Sequence, residues 1–189
     1  MKFGDSFTYV FQDPDWFKKI IIPGLVGLLV PIVGQMVLLG WSLKATLNVI
    51  RNSPNPLPDM EFGGDLGRGF KASVVGLVYG IPMFIFYLPI MILSIVAGES
   101  GEQSMVVIVA IAGACFGFLM LLYGIFMSLM LPAAYARVAV EDTIGAGLAF
   151  KEVFKMVKNN IVTYLLILVG SIAAGFISSL GSIACVIGI

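Results

Sequence analysis

Residues 103–136 read QSMVVIVAIAGACFGFLMLLYGIFMSLMLPAAYA, 34 consecutive positions without Asp, Glu, Lys or Arg. As a helix this stretch is about 50 Å long, more than the roughly 30 Å hydrocarbon core of a bilayer. Three more charge-free runs flank it: residues 20–43 (24 positions), 72–98 (27) and 159–189 (31). The four runs take up 116 of the 189 residues, which crowds all 22 charged side chains into the remaining 73. Only 12% of the chain is charged, where a soluble domain carries about 25%. Runs of this length read as membrane-spanning helices. The predicted fold is therefore all-α, a polytopic integral membrane protein forming one membrane domain over 1–189. A soluble globular domain is excluded.

The stretches between the runs are amphipathic. Phe3, Phe7, Val10 and Phe11 share one helical face, predicting an interfacial helix over 3–12. Asp13-Pro14-Asp15 reads as a helix start, with Asp13 as N-cap and Pro14 in the first turn. Trp16, Phe17, Lys18 and Lys19 follow as an aromatic belt with snorkelling lysines. A second interfacial helix is expected over 145–158, with Phe150, Val153, Phe154 and Val157 on its apolar side. The preludes share a weak repeat: Gly4-x-x-Phe7 and Gly147-x-x-Phe150, with Gly67-x-x-Phe70 between them. Spans are expected over 72–97, 104–131 and 161–189.

The first apolar run differs from the others. Residues 20–43 contain Pro23 and Pro31, and Pro31 to Gly34 is a credible break in their middle. The run either crosses once or turns back as a re-entrant hairpin. Lys and Arg bias favours the hairpin. The N-terminal segment carries Lys2, Lys18 and Lys19, residues 44–71 carry four basic side chains, and residues 137–158 carry four. The turn at 98–104 carries only Glu99 and Glu102. That turn is assigned to the outside and the basic segments to the cytoplasmic side, and only a hairpin keeps the N-terminal lysines with them. The 31-residue final run has no polar anchor at its end, and reads either as one long, tilted span or, the favoured reading, as a span whose return helix is cut short.

Chemistry at depth is sparse. The four runs hold no ionisable carboxylate or amine, and such groups mark most intramembrane sites. The chain has no His, which removes imidazole-ligated haem, His-containing zinc sites and every Ser-His or Cys-His arrangement. No catalytic, cofactor-binding or metal-ligating residue is assigned, and no cofactor is expected. Cys115 and Cys185 read as small buried hydrophobes. Gln35, just past the break, is the best-placed polar group, with hydrogen bonding to freed carbonyls as its structural role. Small residues spaced by four point to helix packing: Gly76 and Gly80, Gly113 and Gly117, Ser171 and Gly175. Packing within the chain is favoured over dimerisation. The carboxylates Asp59, Glu61 and Asp65, and separately Glu141 and Asp142, offer candidate carboxylate pairs, but the favoured reading is solvated or interfacial charges partnering Arg68, Lys71 and Arg137.

Several short strings follow one another along the chain: Asp15-Trp16-Phe17-Lys18-Lys19, Pro31-Ile32-Val33-Gly34, Gly40-Trp41, Arg51 and Leu57-Pro58-Asp59. Gly69-Phe70-Lys71 with Tyr79 and Pro82, then residues 150–160, complete the set. The chain resembles an uncharacterised family of archaeal and bacterial membrane proteins, domain of unknown function 4013. The resemblance implies a multi-span architecture with a further membrane segment beyond residue 189. It implies no activity and no site residues. A looser likeness is to membrane domains fused to glycerophosphodiester phosphodiesterases, whose metal-ligand pattern this sequence lacks.

Together these features predict a non-catalytic protein of the cytoplasmic (inner) membrane, a structural, accessory or assembly subunit. Its partners are the lipid bilayer and either other membrane subunits or a second copy of itself. Zero net charge gives no nucleic-acid footprint. The alternative is a small permease or lipid-handling protein that uses the Pro31–Gly34 break.

Overall fold

Two helices of 39 residues, Phe62–Ser100 and Gln103–Glu141, dominate the computed structural model, which describes residues 9–100 and 102–187. The described residues contain no strand. A 3-10 turn at Tyr9–Gln12 precedes seven helices: α1 Trp16–Leu29, α2 Val33–Ile50, α3 Phe62–Ser100, α4 Gln103–Glu141, α5 Ile144–Leu148, α6 Phe150–Asn159 and α7 Ile161–Ile187. Among these, α2, α3 and α4 are each long and apolar enough to cross a membrane. The bent pair α6–α7 makes a fourth candidate.

Pro31 ends α1. A proline pushes the residue before it out of the helical region, and Val30 is extended (φ −112°, ψ 92°). Ile32 then adopts φ 64°, ψ −65°, and the Val33 N–H donates to the Pro31 carbonyl at 2.7 Å. This is a γ-turn with positive φ, a strained conformation for a β-branched residue. The reversal lays α1 back along α2. Gly34 meets the Val26 carbonyl so closely that no side chain fits, and Gly27 faces Leu38. Residues 20–43 therefore form a pair of packed helical arms.

Helix α2 crosses α3 at Gly40 and Gly69, where the two backbones touch. Helices α3 and α4 run antiparallel, each about 58 Å long at 1.5 Å per residue. Their buried core lies at the polar ends. The core joins Leu43, Ala72, Val75 and Tyr79 to Met130, Ala133, Ala134 and Val138, closed by Val153 and Val157 of α6. Beyond it, α3 and α4 project as a two-helix arm with exposed Phe84, Ile92, Ile111 and Phe118. Edge-on contact of the Phe86 and Tyr123 rings, with centroids 6.2 Å apart, helps hold the arm together.

Helix α4 ends at Asp142, which takes the left-handed conformation (φ 50°). Asp is one of the few non-glycine residues that tolerates it. Thr143 caps the next short helix by accepting from the Ala146 N–H. Gly147 sits against Val75 and Val138, where an added Cβ would come within 2.8 Å of both side chains. The chain bends by 93° between α6 and α7.

Several expected boundaries shift. The expected 72–97 helix begins ten residues earlier, because the Gly67–Phe70 prelude is part of the same helix rather than a separate interfacial one. The expected 104–131 helix runs through Pro132 to Glu141. Segment 145–158 is two helices divided at Ala149 (φ −74°, ψ 67°). The expected 161–189 helix is described to Ile187. Most of the 3–12 helix lies outside the described residues, and its last four residues form a 3-10 turn. The α1 helix starts at Trp16, so Asp13 and Pro14 precede it.

Candidate functional site

The break in residues 20–43 places one polar side chain with a specific task. Pro31 has no N–H, so the Gly27 carbonyl four residues earlier loses its helical donor. Gln35 Nε2 donates to that carbonyl at 2.6 Å. The amide replaces the hydrogen bond the proline removed, a structural role. Replacement Gln35→Leu should lower stability by about 1–3 kcal/mol, because the Gly27 carbonyl is then unpartnered away from water. Thermal unfolding in detergent measures it. Adding Pro31→Ala should return most of the loss by restoring the backbone donor. Equal loss in single and double variants would refute this account.

The six helix-packing candidates do not come together within the chain. Gly76 alone meets a neighbour: a Cβ there would lie 2.7 Å from the Tyr135 hydroxyl oxygen. At Gly80, Gly113, Gly117 and Gly175 a Cβ would meet nothing within 4 Å. Ser171 is exposed and donates to the Ile167 carbonyl of its own helix at 2.8 Å. At these five positions the described residues place no packing partner. They lie on the projecting arm and on α7, beyond the core. Close backbone approach occurs instead at Gly34, Gly40 and Gly69.

Charged side chains gather at the packed end. Lys71 Nζ reaches both the Asp142 carboxylate (2.8 Å) and its carbonyl (2.9 Å), tying α3 to the left-handed end of α4. Arg137 bridges Glu141 of its own helix (2.9 Å) and Glu152 of α6. Lys44 pairs with Glu61 at 3.2 Å. Asp65 is not solvated. The α2–α3 crossing covers it completely, its Oδ2 accepts from the Glu61 N–H at 2.7 Å, and Arg68 lies 3.7 Å from its Oδ1. The Glu99–Glu102 turn is at the far end of the 39-residue helices.

One corner of this end is built by Asp13 and Lys19. Asp13 is fully covered, and its Oδ1 accepts from the Asp15 N–H at 3.0 Å. Its Oδ2 accepts from Lys19 Nζ at 2.9 Å, while Lys19 also donates to the Leu57 carbonyl at 3.1 Å. The hydrogen bond from Lys19 holds the Asp13 carboxyl below its ordinary range, against the opposing cost of burial. The same bond raises the Lys19 ammonium. Trp41 Nε1 donates to the Pro58 carbonyl at 2.9 Å. The proline-rich loop is thus fastened to both arms of the α1–α2 pair. Beside it opens a cavity of about 230 Å³. Lys18, Lys19, Asp15 and Asp59 give it charged walls, while Ile22, Pro23 and Met60 give it apolar ones.

Sequence reasoning did not single out this corner. Asp15, Lys18, Lys19, Ile22 and Pro23 have one-face helical spacing, so five of the seven lining residues are legible as one helix face. The opposite wall, Asp59 and Met60, comes from the fold of the loop. Comparison with known proteins bears on the chain as a whole. No curated protein and no solved structure matches it. The sequence signature described as Protein of unknown function (DUF4013) matches residues 24–187, well over half of the 189 positions. The chain belongs to the DUF4013 family.

Proposed function

We propose that this protein is a non-catalytic, multi-pass subunit of the cytoplasmic membrane that assembles through its projecting α3–α4 arm. In this reading the basic, packed end faces the cytoplasm, the Glu99–Glu102 turn faces outward, and the α1–α2 pair re-enters from the cytoplasmic side. The observation that carries it is the open small-residue surface of the arm. At Gly80, Gly113, Gly117 and Gly124 no other segment among the described residues comes within 4 Å of the place a Cβ would occupy. In lipid, where hydrophobicity does not drive helices together, such surfaces let a second helix approach closely. The occupant is another membrane subunit or a second copy of this chain.

Native purification after gentle solubilisation tests the reading. A defined stoichiometric assembly is expected, and Gly113→Ile with Gly117→Ile should dissolve it while leaving the thermal stability of the chain nearly unchanged. A monomer with uptake activity when reconstituted alone would overturn it in favour of the permease. For orientation, single cysteines at Glu99 and Lys155 are placed in a Cys115→Ala, Cys185→Ala background. Reagent outside the cell should label the first only.

A further inference from the structure

We propose that the cavity between α1 and the 51–61 loop holds the headgroup of a phospholipid carrying both a phosphate and a primary amine. Its walls are charged with both signs. Lys18 and Lys19 face the same space as Asp15 and Asp59, so the lining is neutral overall and suits a zwitterion better than an anion. Lys19 spends two of its three N–H donors on Asp13 and the Leu57 carbonyl. One donor remains for a phosphate oxygen. Among the described residues, the side chains of Lys18, Asp15 and Asp59 form no ion pair within the chain. These three charges are therefore available to a ligand.

Place and size agree with a lipid. The lining residues Lys18 and Lys19 directly follow Trp16 and Phe17 in the chain, two aromatic residues of the kind that settle at headgroup level. Ile22 and Pro23, one turn further along the same face of α1, add an apolar lining, which suits the glycerol and upper acyl region. At about 230 Å³ it exceeds several times the roughly 30 Å³ of one water, yet is far too small for a protein segment. Two carboxylates select a primary ammonium through its N–H donors, which a trimethylated ammonium lacks.

The inference is independent of assembly through the arm. Full-length protein, purified and stripped of lipid in detergent, is titrated with phosphatidylethanolamine, phosphatidylcholine or phosphatidylglycerol, and bound lipid is counted by native mass spectrometry. Phosphatidylethanolamine should be retained about tenfold more tightly than phosphatidylcholine, the difference expected from losing one charge-assisted hydrogen bond. Asp59→Asn should erase that preference, whereas Lys18→Ala should weaken retention of both zwitterionic lipids alike, because the phosphate a lysine meets is common to them. Neither side chain supports the fold, and Lys155→Ala on α6 should leave the preference intact. Retention of phosphatidylglycerol equal to or above phosphatidylethanolamine would overturn the proposal, as would a preference that survives Asp59→Asn. Soluble phosphoethanolamine binding as tightly as the lipid would overturn the lipid as occupant.

Discussion

Replacing Gly40 or Gly69 with alanine is expected to be among the most damaging single changes this chain can suffer, at more than about 3 kcal/mol. At their crossing, α2 and α3 are in backbone contact. A methyl group at Gly40 would fall on the Asp65 carbonyl and within 2.8 Å of the Gly69 nitrogen. One at Gly69 would fall on the Met36 carbonyl and within 2.9 Å of the Gly40 nitrogen. No rotamer change relieves these clashes, because the atoms in the way belong to helical backbone; the helices must separate. Separation also uncovers Asp65, which the crossing buries beside Arg68. Gly80→Ala and Gly113→Ala are the matched controls. Both lie in open space within helices, so they should be neutral or stabilising by about 0.5–1 kcal/mol through helix propensity. Thermal unfolding of the four variants in one detergent gives the comparison. Equal melting temperatures would refute the crossing.

The contrast between these glycines explains what the sequence could and could not disclose. Runs without charge predict helices because they rest on local composition, and α3 and α4 follow. The break at Pro31 was legible because a proline removes a hydrogen bond whatever its surroundings. Small-x-x-x-small spacing is legible too, but it states only that a helix has a narrow face. Which narrow face meets another depends on how distant segments cross. Hence Gly113 and Gly117 match the pattern and touch nothing, while Gly40 and Gly69, 29 positions apart, carry the contact. Helix α6 gives the same lesson. Its apolar side was read as one face of four residues. The core takes Val153 and Val157 and leaves Phe150 and Phe154 half exposed, with Phe150 resting on the Tyr79 ring at 5.0 Å. Asp65 shows the limit for charges. Spacing gives its partner, Arg68, three residues on, but its burial comes from a helix that precedes it in the chain.

The second large effect is expected at Asp13 and Lys19. Removing one member of a covered ion pair leaves the other charge without its partner, at a cost of 3–5 kcal/mol in typical cases. Asp13 is only 1% exposed, but it lies near the molecular surface rather than in a deep core. The lower end, about 3 kcal/mol, is therefore expected for Lys19→Met. Asp13→Leu with Lys19→Met should recover much of that loss, because no charge is then left buried, although the donor to the Leu57 carbonyl is still missing. The pair also sets a pH window. Asp13 is held below the ordinary carboxyl value of about 3.9, so its contribution is complete above that value and fades as pH falls through the depressed one. Lys19 is raised above its ordinary value of about 10.4, so its contribution is complete below that value and fades only at more alkaline pH. Stability from this corner should be flat between about pH 5 and 9 and drop on the acid side. Asp13→Asn keeps a hydrogen-bond acceptor but cannot titrate, so melting curves from pH 3 to 7 should show a shallower acid limb than the wild type. An unchanged acid limb would refute the assignment of that limb to Asp13.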